Sequence, residues 1–364
     1  MNILILADEV AFTGVGNYIR FLATKFVSQG DCVVIATAKD DLHIDGVETI
    51  LLKNININPF NMFSNLRKLR TIIKKHSIDI VHVNHRMSAF VMKMYNSFFL
   101  HIPVVWTSHL SEFPMNFVKK IMGYYGDKSI AISTESKRFM LDVLGISDEK
   151  IELVYNGVDE RELLSLNASE KIALKTKWGV PFDKIVMAVH GRIAYSKGVD
   201  FLVDTLEKLD SDRLNKIVIV CSGQFENNAY YDQLINYIKS KNLQDKFIFT
   251  GWCKTRDILG IADIMLQPSR IEGFPLADAE AFLMGVPVIR TMEGGYLDMK
   301  NICIGVPFGD VDILLNHIID FIDNPKVYSD MASYAQKEAF EKFTSDVMSK
   351  QTYGVYLSLV NNRK

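Results

Sequence analysis

Short apolar runs rich in β-branched residues alternate with longer segments of helical period from one end of the chain to the other. Runs of this length suit strands buried on both faces, and the helix-length segments between them suit the crossovers that parallel strands need. In the first half the pattern predicts strands at 2–7 (NILILA), 32–37 (CVVIAT), 47–52 (VETILL), 79–84 (DIVHVN), 103–108 (PVVWTS), 129–133 (SIAIS) and 151–155 (IELVY). Apolar alternation then fades between Asn156 and Asp183, and a turn at Gly179-Val180-Pro181 marks a linker. A second series opens at 184–190 (KIVMAVH) and continues at 216–222, 247–251, 264–268 and 287–291, after which the tail from Asp310 predicts three helices. The expected fold is α/β, with two doubly wound, Rossmann-like domains at 1–180 and 181–342 and a C-terminal helix in 343–364 able to pack back on the first. Open parallel sheets bind ligands beyond the carboxyl ends of their strands, so the two domains are expected to face each other across a cleft that holds one shared site.

A length of 364 residues exceeds what a single core usually supports, which agrees with two domains. Hydrophobic residues at 48% and charged residues at 23% exclude wholesale disorder. Cys32, Cys221, Cys253 and Cys303 stand far apart without CxxC spacing, which argues against a zinc site or a disulfide framework. Asp8 and Glu9 cut the first apolar run too early for a signal peptide, and no segment has the length of a membrane span. The expected location is cytoplasmic, either free or peripheral at the cytosolic face of the inner membrane. Residues 60–138 carry twelve Lys or Arg against four acids, interleaved with aromatics in FNMFSNLRKLRTIIKKH and FPMNFVKKIMGYYGDK. That composition suits either an anionic bilayer surface or a solvated basic face.

The chemistry concentrates in residues 268–289, PSRIEGFPLADAEAFLMGVPVI. Pro275 is suited to the first position of a helix, whose opening amides near Leu276, Ala277 and Asp278 would then form an anion site for a diphosphate. Glu272 lies before that start and Glu280 after it, so two carboxylates flank the site and can accept hydrogen bonds from sugar hydroxyls. Asp310-Val311-Asp312 matches a metal-binding DxD string, but a helical segment follows and Asp310 is expected to cap it. A dinucleotide dehydrogenase is excluded because Ile19 replaces the third glycine and Ala36, Thr37 and Ala38 occupy the place of the ribose-binding acid. His82 and His85 flank Asn84 without a metal partner, which points to core or acceptor-side roles, and Trp252 is expected at a packed edge or beside a nucleobase.

The block Glu272–Glu280 followed by Gly285-Val286-Pro287 resembles the E-x7-E signature of glycosyltransferase family 4, the retaining GT-B enzymes. HGRIAYSKGVDFLVD (190–204), YNGVD (155–159), TGVGNYIR (13–20) and WTSH (106–109) resemble further blocks of that family in the same order. The resemblance implies that Arg192 and Lys197 hold the donor diphosphate, Glu272 the transferred sugar and Glu280 the ribose. Gly191, Gly273, Phe274, Pro275, Leu276 and Ala277 would line the donor site. It further implies that His109 meets the donor sugar near the reacting carbon, that the leaving phosphate takes the acceptor proton, and that neither metal nor cofactor is used. Gly14 and Gly16 would let the first loop approach the phosphates closely, with Thr13 standing where the family usually has another glycine. The expected activity is transfer of a sugar from a nucleotide-diphosphate sugar, UDP being the commonest in the family, to a saccharide or lipid-linked saccharide of a bacterial-type surface polysaccharide or lipopolysaccharide. Alternatives are a soluble transferase making a storage glycan or small glycoside, and a catalytically silent binding module. No nucleic-acid partner is expected.

Overall fold

The computed structural model describes residues 1–11, 13–52, 59–110 and 123–361, of 59–63 the backbone only. The chain forms two compact units, one of Met1–Val158 with Lys342–Lys364 and one of Asp159–Glu341.

The sheet of the first unit contains β1 (Asn2–Leu6), β2 (Cys32–Thr37), β3 (Glu48–Leu51), β4 (Ile80–Val83), β5 (Val104–Ser108), β6 (Lys128–Ala131) and β7 (Ile151–Leu153). They are all parallel in the order β3-β2-β1-β4-β5-β6-β7, so the chain reverses direction across the sheet at β1/β4. Helices cover both faces, which is why Ile3, Leu4 and Ile5 are all fully buried and the strand reads as an unbroken apolar run. The helix Ser345–Val360 belongs to this unit, where Tyr356 packs on Phe26 with ring centroids 5.6 Å apart.

The second unit repeats the plan with β8 (Ile185–His190), β9 (Ile217–Ser222), β10 (Phe247–Gly251), β11 (Ile264–Gln267), β12 (Val288–Thr291) and β13 (Ile304–Val306). Their order is β10-β9-β8-β11-β12-β13, again parallel, with the reversal at β8/β11. The last strand was not expected from the sequence: it is three residues long and contains Gly305, where a Cβ would lie 2.4 Å from the Tyr296 ring.

The boundary between units falls at Val158/Asp159, ahead of the Gly179–Pro181 turn. The segment expected as a linker holds a helix, Ala168–Trp178, that belongs to the second unit and has no buried residue. A reciprocal cap between Asn167 and Glu170 starts it, and Arg256 ties it down through Glu170 at 2.9 Å.

Several cations of the basic stretch pair with acids from outside it: Lys75 with Glu48 at 3.1 Å, Lys137 with Asp148 at 2.7 Å and Lys128 with Glu152 at 2.8 Å. The Arg70 guanidinium lies over the Phe99 ring. Lys119, Lys120 and most of the second aromatic segment fall outside the described residues. Among the described residues no helix is long and apolar enough to cross a membrane.

Candidate active site

In the second unit the loops after β8 and β11 meet through glycine. Gly198 ends the turn Tyr195–Lys197 at φ +66, and a Cβ there would sit 1.9 Å from the Pro268 carbonyl oxygen. Only glycine satisfies both demands, and the contact sets Lys197 beside the loop that carries Glu272. The Arg270 amide donates to Ser196 O at 2.8 Å, closing the same join from the other side. Gly198→Ala is therefore expected to cost about 2 kcal/mol or more. Its melting temperature should fall by roughly 5 °C; in the first unit Gly14→Ala, with open space around the new Cβ, should leave it unchanged.

Lys197 Nζ lies 2.5 Å from Glu272 Oε1, which also accepts from Ser269 Oγ at 2.7 Å and Gln267 Nε2 at 2.8 Å. Burial pushes the Glu272 carboxyl up, but the Lys197 charge and these donors outweigh it and hold the group below the usual carboxylate range. Glu272 is thus an ionised, almost fully buried acceptor. Arg192 is placed differently: its side chain is 62% exposed and faces Glu226 at 3.9 Å.

The helix Leu276–Leu283 starts one residue later than expected, with Pro275 as its cap at φ -73 and ψ 109. The Asp278 amide, expected to be free for an anion, donates to Pro275 O at 3.2 Å. The amides of Leu276 and Ala277 remain without an intrahelical acceptor by their position, next to Gly273 and Phe274. Glu280, one turn on, is half-buried and lies 3.7 Å from His190 Nε2.

The side chains of His190, Asp278 and Arg290 were not expected to take part in this site. His190 closes β8 beside Gly191 and shares hydrogens with Ser222 Oγ at 2.6 Å and Thr255 Oγ1 at 3.0 Å. Burial, with the Lys197 charge acting in the same direction, pushes its imidazole down to about 4. It is neutral at pH 7, so its approach to Glu280 is a dipolar contact and not an ion pair. Asp278 and Arg290 are both fully buried and 3.0 Å apart, and burial lifts the Asp278 carboxyl to about 7 against the pull of Arg290. The only signal in the sequence was two opposite charges at apolar register positions. Gly191 itself, at φ +130, has open space where a Cβ would be. Trp252 is 60% exposed, and Asp310 caps its helix as expected, accepting from Ile313 N at 3.0 Å.

In the first unit Thr13 caps the helix Gly14–Ser28 by accepting from Gly16 N at 3.1 Å. A Cβ on Gly16 would lie 1.8 Å from Ala11 O, so this glycine serves packing within the chain. His109, after β5, contacts Asn84 Oδ1 through Nε2 at 3.0 Å and the edge of Tyr18 at 4.8 Å between centroids. His82 lies in the core between Tyr356 OH at 2.5 Å and Thr107 Oγ1 at 2.7 Å. Burial pushes both imidazoles down to about 3, helped at His82 by His109 and at His109 by His85. His85 is exposed and pairs with Asp8 at 2.9 Å. Among the described residues no cluster of three His, Cys, Asp or Glu could hold a metal ion, and all four cysteines are free thiols.

Two doubly wound parallel sheets in tandem, with a lysine–glutamate pair ahead of a helix start in the second, define the GT-B class of glycosyltransferase. A family model described as "Glycosyl transferases group 1" matches residues 170–338, and one described as "Glycosyltransferase Family 4" matches residues 12–162. The chain belongs to glycosyltransferase family 4. It is 24% identical to an uncharacterized glycosyltransferase of Methanocaldococcus jannaschii, over 94% of each chain. It is 25% identical to the Escherichia coli UDP-Gal:alpha-D-GlcNAc-diphosphoundecaprenol alpha-1,3-galactosyltransferase, over 85% of this chain and 82% of that one. The crystal structure of Anabaena HepE in complex with UDP superposes with a TM-score of 0.85 at 20% identity, covering 98% of this chain and 100% of the other.

Proposed function

We propose that this glycosyltransferase moves a sugar, with retention of anomeric configuration, from a UDP-sugar to a saccharide or lipid-linked saccharide acceptor of a cell-surface glycan. The observation that carries the reading is the Lys197–Glu272 contact of 2.5 Å just ahead of the helix Leu276–Leu283. It joins a cation, a carboxylate and a helix start, which are the groups a sugar diphosphate needs. The UDP in HepE, and the galactosyltransferase among the relatives whose name pairs UDP-Gal with a diphosphoundecaprenol-linked sugar, support the choice of nucleotide and acceptor class.

In this reading the Leu276 and Ala277 amides and the Lys197 ammonium take the diphosphate, with Gly191, Gly273, Phe274 and Pro275 forming the backbone around it. Arg192 leaves Glu226 to join them, at little cost because a pair that exposed is weak. Glu272 accepts from a hydroxyl of the transferred sugar, and Glu280 from the ribose. As the anomeric C–O bond breaks, its electron pair goes to the diphosphate, whose growing charge meets these donors in a water-poor pocket. The acceptor oxygen bonds to the anomeric carbon, and its proton passes to the departing phosphate oxygen. No metal enters this scheme.

A panel of UDP-, GDP- and ADP-sugars screened by thermal shift tests the donor, since a ligand that binds only the folded chain raises its melting temperature. UDP-sugars are expected to give the largest rise, with the product anomer matching the donor by NMR. An inverted product would remove the retaining mechanism, and stabilisation by another base alone would remove UDP.

A further inference from the structure

The fully buried pair Arg290–Asp278 serves no step of the reaction, and burying two charges is usually no more stable than filling the same volume with apolar side chains. The other contacts of the guanidinium suggest a different use. Nε donates to Thr291 O at 3.1 Å, and Nη2 donates to the carbonyls of Glu293 at 3.0 Å and Gly294 at 2.8 Å. The turn after β12 is thus held from below with its carbonyls inward. Gly295 follows at φ +80, and a Cβ there would lie 3.2 Å from Pro275 Cδ and 3.4 Å from Phe274 Cα. The turn therefore rests against the step that opens the helix Leu276–Leu283, while Asp278, the third residue of that helix, faces Arg290 from within.

We propose that Arg290 is a positioning residue: with Asp278 it sets the spacing between the 293–295 turn and the start of the helix Leu276–Leu283, and so the shape of the cradle that receives the diphosphate. This rests on the donor-site reading above.

The test compares the full chain with Arg290→Met/Asp278→Leu and with Arg290→Lys, by thermal melting and by calorimetric titration with UDP. The double variant fills the core without leaving an unpaired charge but leaves the carbonyls of Thr291, Glu293 and Gly294 without their donor, so it is expected to melt several degrees below the wild type and still be folded at 25 °C. Its UDP affinity should nevertheless fall roughly tenfold or more, as when the support of a binding constellation is loosened. The donor KM should rise with it more than kcat falls. Arg290→Lys keeps a charge opposite Asp278 but loses the fork of donors to the carbonyls, so it should weaken UDP in the same direction even if the double variant does not fold. Wild-type UDP affinity in a folded variant overturns the proposal alone. A wild-type chain that binds none of UDP, GDP or ADP overturns the donor-site reading, and this inference with it.

Discussion

Lys197→Ala is expected to slow nucleotide release from the donor sugar by about 10²–10³-fold, the loss typical when one donor to a developing oxyanion is removed from a preorganised site. The effect is large because Lys197 is only a quarter exposed and its ammonium is anchored at Glu272 before any ligand arrives, so it need not reorganise to meet the leaving charge. The readout is nucleoside diphosphate released without acceptor, together with kcat and KM when an acceptor is supplied. Release at the wild-type rate from a folded variant would refute the site. The same substitution leaves Glu272 buried without its positive partner, which should cost roughly 2 kcal/mol at pH 7. In the wild type the folded-state pKa of Glu272 lies below its unfolded value, so the group stabilises the fold above that unfolded value. In the variant burial dominates and the sign reverses. The gap in melting temperature between the two proteins should therefore be widest near pH 7 and close as pH falls toward 4.

Acid should melt the first unit before the second. His82 and His109 have folded pKa values of about 3, below the usual 6.5, so the unfolded chain binds more protons than the folded one between those values. Stability from both histidines is present above pH 6.5 and is lost as pH falls toward 3. Two protons correspond to about 2.7 kcal/mol per pH unit in the middle of that window. In the second unit His190, at about 4, and the half-buried His317, pushed down by burial, act in the same direction, whereas Asp278, raised to about 7 from 3.8, acts in the opposite one. Asp278 is protonated more readily in the folded state, so it favours the fold at low pH and loses that contribution as pH rises toward 7. The His190 and Asp278 contributions nearly cancel between pH 4 and 6.5, which leaves the second unit with His317 alone against the two fully buried histidines of the first. Hydrogen exchange read by mass spectrometry at pH 6.5 and 5 should show protection lost first in β1, β4 and β5, while β8 and β11 hold. Loss in the opposite order would contradict the burial of these imidazoles.

Most strands were legible because buried parallel strands have no polar face to interrupt them: the runs at 32–37 and 247–251 match β2 and β10 to the residue. The segment Ala168–Trp178 was misread for the converse reason, since a helix with no buried residue has no apolar stripe to betray it. Lys197 and Glu272 lie far apart in sequence, and nothing in local pattern joins them; the family blocks did. What those blocks did not convey were the groups beneath the site. His190 reads as the polar end of a strand, and Arg290 and Asp278 read as isolated charges until the fold sets them 3.0 Å apart. Gly16 lies in a phosphate-loop pattern, and the pattern gave no sign that its small size is also needed against Ala11.

Backbone amide exchange of the wild-type chain with and without saturating UDP reads out whether the diphosphate sits at the start of the helix Leu276–Leu283. Exchange should slow in 191–198, in 273–279 and in the turn 293–296, with the first two effects diminished in Lys197→Ala. Protection confined to other segments, or unchanged exchange around Leu276 and Ala277 while UDP is bound, would contradict that placement.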